Sequence, residues 1–100
     1  MILFEWDEAK AKTNERKHGV SFEDAMLVFD DPYAIAVQDR IEGGERRWQT
    51  LGLAGGIVLL LVAHVVKDDE QDEIIRIISA RRADRKERKR YDKNRAKNPL

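Results

Sequence analysis

The most constraining feature of this chain is a run of twelve residues, Gly55 to Val66, broken only by His64 in its apolar character. Within it Ile57–Val66 is apolar on both faces, which a strand with one face in water would not be. It predicts a central strand of a sheet. A bilayer-spanning helix needs about 20 apolar residues, so no membrane span is expected. The rest of the chain must then supply neighbours and cover for this strand.

Those neighbours are legible on either side of it. Arg47–Leu53 predicts a strand joined to it through a tight Ala54-Gly55-Gly56 connection, and Tyr33–Gln38 predicts another. Between them Asp39–Glu45 reads as a turn, with Gly43-Gly44 tolerating unusual dihedrals. After an acidic loop at Lys67–Glu73, Ile74–Ser79 predicts a fourth strand, interrupted only by Arg76. Ile2–Trp6 predicts a short strand at a sheet edge.

Helices are marked by their ends. Asp7 is an N-cap for a helix running to about Lys17, and Gly19 suits the left-handed residue that closes it. Ser21 caps a second helix, with Asp24 in place of the usual Glu or Gln of a capping box. Phe22, Ala25, Met26 and Phe29 give that helix one apolar face. Asp31-Pro32 ends it, because proline disfavours a helical residue before it. From about Arg82 to Pro99 good helix formers run without a breaker. The predicted order is β-α-α-β-β-β-β-α, a single domain over residues 1–100. The class is α+β: an antiparallel sheet of four to five strands, two N-terminal helices and a basic C-terminal helix.

Charge is distributed unevenly. The 19 Lys and Arg balance 19 Asp and Glu, yet residues 1–80 carry a net charge of −7 and residues 81–97 a net charge of +7. A segment that basic meets an anionic partner, nucleic acid or an acidic protein surface, or stands as a solvated helix. The absence of cysteine excludes disulfides and thiolate metal sites, which fits a reducing cytoplasm. The N-terminus turns acidic at once and does not read as a signal peptide.

Few residues are available for chemistry. No Ser-His-Asp, His-Glu-x-x-His or phosphate-loop pattern occurs, and two isolated histidines make a poor metal site, so neither metal nor cofactor is expected. His18 stands before Gly19, where free helix carbonyls attract a cation; it reads as a capping histidine or as an acid or base near a phosphate. His64, on the same strand face as Leu60 and Val62, reads as a core histidine. A guanidinium in Ile-Ile-Arg-Ile-Ile must reach water, pair with an acid such as Glu45, or line a pocket. Arg76 can therefore converge with Arg47 and Arg81 on one phosphate. Trp48 points away from Arg47 on a regular strand and reads as core. Tyr91 follows Ala83 and Glu87 on one helix stripe, which pins the helix to the sheet, and Glu87 is placed to hold Arg76.

Several separated motifs together resemble one family. Phe4-Glu5-Trp6-Asp7, Lys10, Asn14 and Lys17-His18-Gly19-Val20-Ser21-Phe22-Glu23 are similar to the opening of BrnT toxins, as are Val28-Phe29 and Asp31-Pro32. Gly44-Glu45-Arg46-Arg47-Trp48 before Leu51-Gly52 resembles their middle segment. Ile77-Ile78-Ser79-Ala80-Arg81-Arg82-Ala83 with Glu87-Arg88 and Tyr91 resembles their close. The resemblance implies a cytoplasmic bacterial toxin of a type II toxin–antitoxin system with a RelE-like ribonuclease fold. It further implies neutralisation by a BrnA-like ribbon-helix-helix antitoxin, in a 2:2 complex that meets operator DNA only through the antitoxin. One departure is that relatives place an aromatic followed by Thr-Glu where this chain has His64-Val65-Val66. A substrate contact made by that aromatic either passes to His64 or is lost.

Attack of an RNA 2′-OH on its own phosphate needs in-line geometry, proton transfer and charge compensation. Arginines can supply the last without a metal. The expected catalytic set is Arg47, Arg76 and Arg81 on the phosphate, with His18 for proton transfer. Arg46, Arg82, Lys86 and Tyr91 are the expected RNA-binding residues, drawn largely from the basic segment. Two other classes fit the same charges: a nucleic-acid-binding module without chemistry, and a protein-interaction domain whose basic helix docks an acidic partner.

Overall fold

The long apolar segment forms the middle strand of a five-stranded sheet. The computed structural model describes residues 1–99, apart from the side chain of Asp69. Along it run β1 (Ile2–Glu5), α1 (Glu8–His18), α2 (Phe22–Met26), a 3-10 turn (Leu27–Asp30), β2 (Ile35–Glu42), β3 (Glu45–Ala54), β4 (Val58–Asp69), β5 (Asp72–Arg82) and α3 (Arg85–Lys97). The sheet order is β1-β5-β4-β3-β2. Strands β2 to β5 form an antiparallel meander.

The sheet is mixed, where the sequence predicted an antiparallel one. β1 runs parallel to β5, with Ile2 opposite Glu73 and Glu5 opposite Arg76. Only strands joined by a hairpin are bound to alternate in direction. β1 leads instead into α1, and its Phe4 ring packs against Phe29 at 5.4 Å between centroids.

The strands are also longer than their apolar centres suggest. The β2–β3 turn shrinks to Gly43-Gly44, whose φ values of 59° and 79° are the paired left-handed conformations of a two-residue hairpin. The acidic loop shrinks to Glu70-Gln71, so β4 runs on through Lys67 and Asp68 to Asp69. At this end Lys67 meets Glu5 at 3.3 Å and Asp68 is exposed, while the backbone ladder continues. At the other end β5 runs on through Arg82, and α3 begins later than predicted. Asp84 caps α3 in a full capping box with Glu87.

The sheet is covered differently on its two faces. α1 and α2 lie on one, where Phe22, Ala25 and Val28 pack with Leu60, Val62 and Ile77. Buried Asn14 ties α1 to this face: its Nδ2 donates to Val20 O (3.0 Å) and Ala80 O (2.9 Å), and its Oδ1 accepts from Ala80 N (3.1 Å). On the opposite face Leu51, Leu59 and Leu61 pack beneath Tyr91 of α3. Gly52 lets the 3-10 turn approach β3. A Cβ there would stand 2.9 Å from Val28 Cγ1 and 3.2 Å from the immobile Val28 O. Gly52→Ala is expected to cost about 1–3 kcal/mol through overpacking, read as a lower urea midpoint with unchanged m-value.

Candidate active site

Burial of its neighbours decides where Arg76 points. Ile75 and Ile77 are buried in the core beneath α1 and α2, so the alternation of β5 sends Arg76 to the opposite face. The strand register then sets its company. Arg76 is opposite Val65 of β4, and Val65 is opposite Arg47 of β3. Directly opposed residues share a sheet face. With strands about 4.8 Å apart, the two arginine Cα atoms stand about 10 Å apart across Val65. Val65 itself is buried. Long arginine stems flank such an apolar residue while their charged ends reach outward.

This row borders an open depression of about 210 Å³. Lys10 and Asp7 reach it from the N-terminus of α1, and Glu45 lies on its wall. Asp7 is committed as the α1 cap, accepting from Lys10 N at 3.1 Å. Arg47 Nε lies 3.4 Å from Glu42 Oε2, a carboxylate shared with Arg40 Nε at 2.9 Å. Among the described residues Arg76 and Glu45 have no ion-pair partner, so the Arg76–Glu45 pair foreseen from sequence is not formed although both line the depression. Three cationic side chains and an uncommitted carboxylate thus surround one hollow. Such a set can bind a phosphate, offset charge developing on it, and accept a proton.

Arg81 is held elsewhere. It lies five positions beyond Arg76, an odd offset that on a regular strand would put the two on opposite faces. A β-bulge in β5 restores Arg81 to the Arg76 face, opposite Leu61: the consecutive Ala63 and His64 of β4 face Ser79 and Ile77, which leaves Ile78 as the extra residue. Leu61 lies four residues along β4 from Val65, about 13 Å away. There Arg81 forks onto Glu87, with Nη1 to Oε1 and Nη2 to Oε2 both at 2.9 Å. That fork holds the Glu87 carboxyl below its ordinary range against the opposing effect of burial. Glu87 Oε1 also accepts from Asp84 N at 2.9 Å. Glu87 therefore holds Arg81 rather than Arg76, and Arg81 joins β5 to the first turn of α3.

The sequence matches the family model described as "Ribonuclease toxin, BrnT, of type II toxin-antitoxin system" over residues 6–87. The chain belongs to the BrnT toxin family. Membership makes it a ribonuclease toxin, an enzyme that cuts RNA within a toxin–antitoxin system. The crystal structure of the Brucella abortus ribonuclease toxin BrnT is similar, with a TM-score of 0.64 and 25% sequence identity over 85% of this chain and 99% of that one. No curated protein matches the chain in sequence.

The remaining sequence-predicted residues of this BrnT-family chain lie away from the depression. His18 ends α1, eight residues and about 12 Å of helix from Lys10. It stands in the basic last turn beside the left-handed Gly19. Arg82, opposite Leu60, belongs to the α1/α2 face and lines a separate hollow with Gly19 and Asp24. Arg46 lies on that same face, two residues from Trp48 on β3. Lys86 is exposed on α3.

Tyr91, expected to meet RNA, is 2% exposed. Its OH donates to Asp31 Oδ2 at 2.7 Å, and burial together with that carboxylate pushes its pKa up to about 12. Asp31 also accepts from Leu53 N (2.8 Å) and Tyr33 N (2.9 Å). These donors outweigh burial and hold its carboxyl below the ordinary range. Tyr91 is the bolt between α3 and the 3-10 turn. Tyr91→Phe is expected to lower stability by about 1.5–3 kcal/mol, the worth of a hydrogen bond to a charged group. Cleavage per folded molecule should be unchanged, as urea melts and single-turnover assays would show.

His64 is likewise a core residue. It is 3% exposed, with Nε2 2.7 Å from Thr50 Oγ1 and its ring edge-on to Phe29 at 4.9 Å. It faces the α1/α2 side, so it does not enter the arginine depression. Sequence reasoning passed over Lys10 and Glu45 as site residues. Their signal was present in the family-like motifs that contain them, but only the fold brings the N-terminus of α1 beside β3 and β5.

Proposed function

We propose that the depression between Arg47 and Arg76 receives the scissile phosphate of single-stranded RNA and that cleavage there requires no metal. The observation that carries this reading is the Arg47–Val65–Arg76 row. Two guanidinium groups in one cross-strand row, on either side of Val65, straddle a position where the phosphorane would form, and preorganised cations act on charge that develops in the transition state. The RNA supplies its own nucleophile. Its 2′-OH attacks the adjacent phosphorus, and the bond to the 5′-oxygen breaks with its electron pair passing to that oxygen. The oxygen takes a proton from water in the open depression to leave as a 5′-OH, and a 2′,3′-cyclic phosphate remains. Glu45 accepts the hydroxyl proton, and Lys10 adds a third positive charge at the rim. His18 takes no part in this scheme, standing at the far end of α1. Arg81 contributes by fixing the start of α3, whose basic surface, Lys86 included, draws in the RNA backbone.

The same reading extends to the system. The meander with helices on both faces is taken as RelE-like. The neutralising partner is a BrnA-like ribbon-helix-helix antitoxin, two copies with two toxins, and operator DNA is met through that antitoxin. In a test of the mechanism, the purified toxin with excess chelator should cut a single-stranded oligoribonucleotide at an undiminished rate, leaving cyclic phosphate ends. Loss of cutting with chelator and its return with magnesium would contradict the metal-free scheme.

A further inference from the structure

Trp48 is a half-buried aromatic that belongs to neither core. Its neighbours on β3 explain why. It faces the α1/α2 side, opposite His64, but at the end of the sheet remote from the main packing of those helices. The indole lines an open depression of about 380 Å³ together with Arg46 and Val66. Arg46 and Trp48, two residues apart, stand side by side on one face of β3. Among the described residues Arg46 has no ion-pair partner. Lys67 also borders the depression, though its ammonium is engaged by Glu5 at 3.3 Å, and Asp68 and Glu45 complete the polar rim.

A second observation gives this hollow a direction. Glu45 and Val65 form part of its wall and part of the wall of the Arg47–Arg76 depression. The two hollows therefore meet at the exposed end of the β3–β4 ladder, one on each sheet face. A strand held by its phosphate between Arg47 and Arg76 has a continuous path around that end to the indole.

We propose that Trp48 and Arg46 form a nucleobase subsite for the RNA substrate. An unpaired base next to the scissile phosphate stacks on the indole, and Arg46 takes the neighbouring backbone phosphate. This rests on the reading of the Arg47–Arg76 depression as the cleavage site. Every base has a π-face, so stacking alone tolerates sequence, but it demands an unpaired base. The subsite thus selects single-stranded over duplex RNA.

The test uses Trp48 as its own reporter. In a Trp6→Phe background Trp48 is the sole tryptophan. Its emission should be quenched on titration with an uncleavable oligonucleotide carrying 2′-deoxyribose at the scissile position, and not by a duplex of the same sequence. Trp48→Ala should raise KM for a cleavable single strand about tenfold, in line with measured base–aromatic stacking, while kcat changes by less than about twofold. Trp48→Phe should restore most of the affinity, which a general loss of folding would not allow. Cleavage by the unsubstituted toxin with unquenched emission and an unchanged KM for Trp48→Ala would overturn the subsite while leaving the cleavage site standing. Quenching by a toxin-binding protein but not by RNA would overturn it as well. Quenching by RNA that the unsubstituted toxin leaves intact would support the subsite and remove the cleavage reading.

Discussion

Arg76→Ala should lower kcat for RNA cleavage by about 10²- to 10³-fold, the range seen when one preorganised charge-stabilising donor is removed. Arg47→Ala should fall in the same range. Neither change should unsettle the fold greatly. Among the described residues Arg76 has no ion-pair partner, and Arg47 pairs only with the exposed Glu42. Arg81→Ala should show the reverse pattern. It strips Glu87 of both fork contacts, so stability should fall by about 1 kcal/mol, discounted for the 41% exposure of Arg81. Its effect on cleavage should be smaller than that of Arg76→Ala and should be recovered where α3 remains docked. Rates and urea melts on the three variants separate the roles. Equal losses of activity at Arg76 and Arg81, with equal stability, would place both on the phosphate.

Acid should unfold this protein through His64. Burial lowers its pKa from 6.5 to about 4, and among the described residues its Nδ1 has no hydrogen-bond partner. Above pH 6.5 the ring is neutral in both folded and unfolded chains, so it adds no pH dependence there. Between pH 6.5 and 4 the unfolded chain takes up the proton and the folded chain resists it. Stability therefore falls as pH falls through this window. The full loss, reached below pH 4, is about 3 kcal/mol. Asp31 and Glu87 also lose stabilising contacts in acid. Their ordinary values are 3.8 and 4.5, so their share comes at the low end of the window and below it. His64→Gln keeps a polar group near Thr50 and removes the titration. Its stability should be flatter between pH 6.5 and 4.5 than that of the unsubstituted protein in urea melts. An equally steep decline would exclude His64 as the cause.

Local signals in the sequence led to correct elements. The two-sided apolar character of Ile57–Val66 identified the middle strand, and Asp7, Gly19 and Ser21 marked helix ends that the structure retains. Charge misled at the ends of strands. Lys67, Asp68 and Asp72 look like loop residues, yet backbone pairing continues where both sheet faces are wet. The parallel docking of β1 left no local trace, because its partner lies some seventy residues away. The start of α3 was legible in principle, since Asp84 and Glu87 have capping-box spacing, but the run of helix formers from Arg82 obscured it.

The candidate site divides along the same line. Residue types and a strand interrupted by Arg76 pointed to guanidinium chemistry. Which arginines meet depends on register and on one bulge, and neither is written in the local pattern. Arg47 and Arg76 come together because Val65 separates them by one rung on each side. Arg81 shares their face but is drawn to Glu87, a contact set by where α3 begins. Tyr91 looked available for RNA on a basic helix, and Asp31 claims it instead.

The claim that Arg47 and Arg76 jointly receive one phosphate is most directly tested by following arginine Nε resonances during titration with an uncleavable 2′-deoxy-substituted dinucleotide. The Arg47 and Arg76 signals should move together on a single binding curve, while Arg81, locked to Glu87, stays in place. Separate curves for Arg47 and Arg76, or a response at Arg81 alone, would contradict it.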